Sequence, residues 1–305
     1  MATTTTADVR LSALPPVSGR AGLRGVLASE FTKLRSVRST YWTIGALLIL
    51  SVGLAAAIGA GASSDLNSNP GDKAGFDATQ TSLAIFFYLG QLIIAVLGAM
   101  AITSEYSTGM VRTSLTAMPR RGTLFTSKLA VFTGVALVIS LVTSFLAFFV
   151  GQAVLSGTGV SASLFHSTTV PLDARVTPQA TTLLGSFTIT PGHVLMAIIG
   201  TALFVTAAAV IAFGLGAIIR HTAGAIASAI GLLFVLPIII QLLPSTWRWD
   251  LQRFFPDGAG RVLSATVGSP DAGHLWSAWP QFAVTLIWAA VLVGVGGYLF
   301  RKRDA

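Results

Sequence analysis

Six stretches of this chain run without a single charged side chain, at 41–60, 82–104, 129–155, 194–219, 224–243 and 281–300. A helix needs about 20 apolar residues to cross a hydrocarbon core of roughly 30 Å, and each stretch is long enough. Charge is costly in lipid, and every backbone polar group there needs a partner within its own segment. Charge depletion is therefore what a bilayer demands of a chain. Only 10% of the 305 residues are charged and 53% are hydrophobic, against about 25% charged in a soluble domain. Barrel strands alternate apolar and polar residues over about 10 positions. These stretches do not alternate. The sequence predicts an all-α polytopic membrane protein with six transmembrane helices.

The charges between the stretches predict an orientation. With both ends in the cytoplasm, 14 of the 19 basic residues fall inside and 5 outside. Asp65, Asp72, Asp77, Asp173, Asp250, Asp257 and Asp271 all fall outside. That asymmetry follows the positive-inside rule, and two basic ends favour an even number of spans. The net charge of +8 then serves topology and anionic headgroups, and no nucleic acid partner is expected. With no cysteine, disulfides, thiolate metal sites and cysteine nucleophiles are excluded.

Along the chain, 1–20 reads as a disordered cytoplasmic tail, 21–40 as an amphipathic interfacial helix and 41–303 as the six-span domain. In the interfacial helix, Leu23, Val26, Leu27, Phe31, Leu34 and Val37 recur at helical spacing, with Arg24, Lys33, Arg35 and Arg38 at other positions. Such a helix lies on the inner membrane surface or extends the first span into the cytoplasm. Gly53, Ala57 and Gly61 in span one, and Ala208, Ala212 and Gly216 in span four, have the spacing that lets helices approach closely. The loop 61–80 reads as external. The external segment 156–190 is Ser/Thr-rich and reads as mobile. Pro237 predicts a kink in span five. His193 is expected to cap the outer end of span four. The stretch 251–262, flanked by Trp247, Trp249, Phe254 and Phe255, predicts a short interfacial or re-entrant helix.

The segment from Glu105 to Gly122 is the most distinctive piece between spans. Met110, Ser114 and Met118 fall at i, i+4 and i+8, with Val111 and Leu115 beside them. Pro119 closes a short helix, and Arg120 and Arg121 follow it. Its apolar face is suited to gripping a partner or to touching headgroups.

Catalytic readings find little support. The histidines are 166, 193, 221 and 274, and none belongs to an HExxH pattern. There is no GxSxG elbow and no Gly-Lys step of a phosphate-binding loop. No catalytic residue and no metal site is expected. The six stretches lack the ionisable relay of an ion-driven carrier. Energy for transport would have to come from another subunit.

Three stretches carry a family resemblance. They are Ser29-Glu30-Phe31-Thr32-Lys33-Leu34-Arg35-Ser36-Val37-Arg38-Ser39-Thr40-Tyr41-Trp42, the segment from Glu105 to Arg121, and Phe255-Pro256 through Ala259-Gly260. With them the chain resembles the permease subunit of a type-2 ATP-binding-cassette (ABC) transporter, particularly the actinobacterial members. The resemblance implies a plasma-membrane half-transporter that pairs with a second permease chain, identical or different. Two ATP-binding subunits would carry the ATP and magnesium, and this chain would bind no cofactor itself. Export of an amphiphile, lipid, drug or peptide is implied. The segment after span two would be the cytoplasmic coupling helix. Met110, Val111, Leu115 and Met118 would insert into the ATPase, oriented by Arg112, Arg120 and Arg121. Glu105 would accept a hydrogen bond, pair with a nearby arginine, or serve as an ordinary boundary carboxylate. Tyr88, Gln91 and Gln241 would line a substrate path or bond to neighbouring helices. A non-transporting membrane anchor and an integral membrane enzyme are the alternatives.

Overall fold

A computed structural model describes residues 23–117, 120–171, 186–267 and 274–302. Among the described residues, six helices are long and apolar enough to cross a membrane: α2 (Arg38–Ser68), α3 (Ala78–Ser107), α5 (Arg121–Leu155), α6 (Pro191–Ile219), α7 (Thr222–Gln241) and α10 (Ala278–Lys302). Short helices join them: α1 (Leu23–Ser36) before α2, α4 (Met110–Ala117) between α3 and α5, and α8 (Ser245–Gln252) and α9 (Asp257–Ser264) between α7 and α10. The expected tail, 1–20, lies outside the described residues. The ends of the spans alternate between two faces. One face carries α1, α4 and the Lys302 end of α10, and is called here the basic face. The opposite face carries α8, α9 and a two-stranded antiparallel hairpin of β1 (Thr168–Pro171) and β2 (Ser186–Ile189).

Several boundaries differ from the sequence expectation. The interfacial helix stops at Ser36. Val37 takes extended backbone (φ −83°, ψ 116°), and Arg38 already opens α2. No glycine or proline announces this elbow. Span one runs on to Ser68, because its small and polar residues 61–68 stay helical until Asn69-Pro70 stops them. The expected loop 61–80 therefore shrinks to the few residues before Asp77, which caps α3 by accepting from Gln80 N at 2.8 Å. The segment 156–190 is not wholly irregular, since its two described ends pair as the hairpin. The kink expected at Pro237 takes the form of a π-turn at Gly231–Val235. The wider turn holds the carbonyl of Leu233, four residues before a proline ring that would otherwise press on it. A second π-turn, Phe86–Gly90, interrupts α3. His193 caps α6 as expected, reciprocally with Thr190.

Helix α6 is the hub, buried on nearly all sides and packed against α3, α5, α9 and α10. Ala208, Ala212 and Gly216 are all buried in these contacts. The closest approach comes from the facing helix, where a Cβ on Gly98 would lie 2.3 Å from the carbonyl oxygen of Ala209. The small-residue tract of span one behaves differently. Gly53 and Gly61 have nothing within 4 Å of where a Cβ would sit, so they do not seat α2 on the bundle.

Helix α9 dips into the bundle instead of lying across it. A Cβ on Gly260 would collide with the Phe87 ring. The turn before α9 presents backbone carbonyls that one face of α10 bonds, Pro256 O also accepting from Ala259 N. Gln281 Nε2 donates to Arg253 O (3.0 Å), Thr285 Oγ1 to Pro256 O (3.1 Å) and Trp288 Nε1 to Phe254 O (2.8 Å). These donors fall at i, i+4 and i+7, and reach about 10 Å along α10. Irregular backbone at such depth is tolerated only when it is satisfied in this way. Asp77 pins the far end, accepting from Thr266 N, Thr266 Oγ1 and Val267 N. The single short helix read from 251–262 is instead the end of α8, a turn at 253–256 and the start of α9, and α9 packs into one end of the bundle against α6 and α10.

This packing predicts opposite outcomes for two glycines. Gly98→Ala should destabilise the protein by about 1–3 kcal/mol through overpacking, read as a lower thermal midpoint in detergent. Gly53→Ala should leave the midpoint unchanged.

Candidate functional site

On the basic face four charged side chains from three helices meet. Lys128 Nζ, on α5, lies 2.5 Å from Glu30 Oε2 on α1 and 2.7 Å from Glu105 Oε1 on α3. Lys33 Nζ, on α1, lies 2.7 Å from Glu30 Oε1 and 3.3 Å from Glu105 Oε1. Lys33 also donates to Ser114 Oγ on α4 at 3.1 Å. Glu30, Glu105 and Lys128 are only 2%, 7% and 8% exposed. Burying an unpaired charge is expensive, and removing one partner of a buried pair commonly costs 3–5 kcal/mol. Here each carboxylate meets two ammonium groups, each ammonium meets two carboxylates, and the cluster is neutral.

Local sequence explains the placement. Glu30 follows Val26 by one helical turn on the side of α1 that packs against α5, and Val26 is itself buried. Glu105 stands near the end of α3 and Lys128 two turns into α5. Burial pushes the Glu30 carboxyl up, but the charge and hydrogen bond of Lys128, with those of Lys33, outweigh it and hold the group below its ordinary value of 4.5. Burial pulls the Lys33 ammonium down, but Glu30 and Glu105 raise it above its ordinary 10.5. The contribution of Glu30 to stability is complete above pH 4.5 and is lost as pH falls through its lowered value. That of Lys33 is complete below 10.5 and is lost as pH rises through its raised value. Both are fully charged through the neutral range.

Several sequence expectations are corrected here. Glu105 pairs with two lysines and with no arginine among the described side chains, because α1 and α5 bring Lys33 and Lys128 to it. Lys33 belongs to the cluster and not to a headgroup-facing row with Arg35 and Arg38, which are exposed. Phe31 is exposed and Leu34 packs against the core. Val111 is 3% exposed and points into its own bundle, so it is not available to a partner, whereas Met110 is 41% exposed. Helix α4 includes Arg112 and Leu115, whose side chains are not described, and Met118 lies outside the described residues. Arg120 is exposed and Arg121 opens α5. Glu30 and Lys128 were missed as site residues. The signal available was a lone lysine two turns inside a long apolar helix, which needs a counter-charge.

Tyr88, Gln91 and Gln241 are not brought together. Gln91 is buried within α3, and its Oε1 has no hydrogen-bond partner among the described residues. Tyr88 leaves the π-turn beside Phe87 and faces a pocket with Gln80, Thr81, Arg261 and Ser264. Gln241 is the exposed last residue of α7. The π-turn separates Tyr88 from Gln91, and Gln241 sits at a helix end. Elsewhere on the basic face Arg220, in left-handed backbone (φ 60°), donates to Leu299 O at 3.1 Å and lies over the Tyr106 ring. It ties the ends of α3, α6 and α10. Among the described residues, no three His, Cys, Asp or Glu side chains group as a metal site.

The profile of the ABC-2 family transporter proteins matches residues 26–191, more than half of the chain, including all four members of the charge cluster. The chain belongs to this family: it is a multi-pass transmembrane permease of an ABC transporter, and membership of the family implies an ATP-binding partner subunit. Comparison with curated proteins returned no match.

The cluster predicts non-additive substitutions. Lys128→Met alone strands two carboxylates on one ammonium and should cost about 3 kcal/mol. Adding Glu105→Gln restores neutrality and should recover part of that loss, measured as thermal midpoints of the purified proteins.

Proposed function

We propose that this chain is the permease half of an ABC exporter, powered by ATP and magnesium bound on partner subunits that dock on the basic face. The reading places that face and both termini in the cytoplasm, following the positive-inside distribution of charge. Two ATP-binding subunits and a second permease chain complete the assembly. The observation that carries the proposal is the neutral charge cluster, which joins α1, α4, the end of span two and the start of span three. A push on α4 is passed through Ser114 and Lys33 to two spans at once. Met110 presents an apolar contact to the ATPase, flanked by Arg112, Leu115, Met118, Arg120 and Arg121. The spans carry fixed charge only near their ends, which suits an amphiphilic cargo and offers no ion-coupled relay.

Met110→Asp should weaken association with the ATP-binding subunit about thirtyfold, equivalent to ~2 kcal/mol for placing a carboxylate in an apolar contact. Co-purification of the pair and the permease-stimulated ATPase rate measure it. An assembled pair with unchanged turnover would remove α4 from the docking surface. Absence of any ATP-dependent export would favour a non-transporting anchor.

A further inference from the structure

A cavity of about 210 Å³ opens against the charge cluster, at the elbow between α1 and α2. It is several times the ~30 Å³ share of one liquid water, so a single bridging water does not fill it. Its two ends differ. At one end lie Glu105 and Lys128, with the first turn of α2 contributing Ser39 and Thr40. At the other lie Leu97, Met100 and Phe132. Leu97 precedes Glu105 by two helical turns on α3, which sets the apolar end roughly 12 Å deeper than the charged one. The cavity is thus built along the direction of a lipid molecule.

The charged end has unfilled hydrogen-bonding capacity. Lys128 donates to Glu30 and Glu105, which leaves one of its three N–H groups without a partner among the described residues. Both lysines that reach Glu105 bond its Oε1, so Oε2 accepts from no described residue. Thr40 is 7% exposed, and its hydroxyl has no hydrogen bond to a described residue. No side chain caps α2, and although Thr40 N donates to Val37 O at 3.1 Å, the N–H groups of Arg38 and Ser39 have no helical acceptor and stand at the positive end of the helix dipole. The site therefore offers donors for an anion and, beside them, one carboxylate oxygen for a cation.

We propose that this cavity holds a zwitterionic phospholipid whose headgroup carries a primary amine, a phosphoethanolamine group. The phosphate accepts from Lys128, Thr40 and the first turn of α2. The ammonium donates to Glu105 Oε2. The start of the acyl chains lies against Leu97, Met100 and Phe132. The cluster is neutral, and a neutral zwitterion leaves it so, whereas an anionic headgroup would add an uncompensated charge beside two carboxylates. A quaternary choline headgroup has no N–H to give Glu105. This lipid would brace the α1–α2 elbow beside the docking face, and the proposal depends neither on the ATP-binding partner nor on export.

The test uses the purified full-length protein, reconstituted in bilayers of equal phosphatidylethanolamine and phosphatidylcholine, with retained lipid counted by native mass spectrometry. The wild type should keep the ethanolamine lipid about tenfold over the choline lipid, the value of one hydrogen bond to a charged group. Glu105→Gln should bring that ratio close to one. Thr40→Val and Ser104→Ala, which trim cavity-lining hydroxyls, should lower retention of both lipids. If Glu105→Gln does not yield folded protein, the mono- and dimethylated ethanolamine lipids on the wild type should bind progressively less. Equal retention of the two lipids by the wild type would overturn the headgroup assignment. Retention indifferent to both hydroxyl substitutions would overturn the site. Competition by soluble glycerophosphoethanolamine as effective as that of the lipid would overturn the role of the apolar end.

Discussion

Hydrocarbon cannot solvate an ion or a free carbonyl, and the organisation of this molecule follows from how each such group is answered. The sharpest case is the cluster of Glu30, Lys33, Glu105 and Lys128 at the edge of the bundle, in which all but the half-buried Lys33 are almost withdrawn from water. None of the four is tolerable there alone. Together they sum to zero, and the requirement that they stay together fastens α1 to α3 and α5. The same rule acts on the opposite face. The buried α9 is held because Gln281, Thr285 and Trp288 bond the carbonyls of the turn that leads into it.

The two solutions divide the labour of the fold. The central contact of α3 with α6 is made by removing side chains, as at Gly98, so that backbones touch. Such contacts are close and have no polar content to direct them. Polar clusters at the two ends supply that direction: Asp77 and the α10 donors on one face, the charge cluster and Arg220 on the other. For a permease this arrangement joins the surface where a partner can press to the helices that must move.

What was legible in the sequence follows the same physics. The six spans were plain because charge depletion is a local property, visible in any window of about 20 residues. The short helix after span two was also plain, from periodicity, whereas the stretch 251–262 was read as one helix and is divided by a turn at 253–256. The α1–α2 elbow was not, because Val37 breaks the helix without glycine or proline. The charge cluster was not, because Glu30 and Lys128 stand 98 positions apart and Glu105 is 72 from Lys33. Pairing over such distances is decided by how α1 packs on α5. For the same reason Val111 looked like half of an outward apolar face, although it is buried against its own bundle. Gly53 and Gly61 show the converse, a spacing that permits a close contact this chain does not use.

The central claim is that the charge cluster makes α1 and the start of α5 one rigid body. The absence of cysteine allows spin labels at two introduced positions, Ala28 on α1 and Thr126 on α5, both exposed. Their separation, measured by pulsed electron resonance in the reconstituted transporter with and without ATP, should stay constant while distances from α1 to α7 change. A separation between Ala28 and Thr126 that shifts with nucleotide would contradict the account.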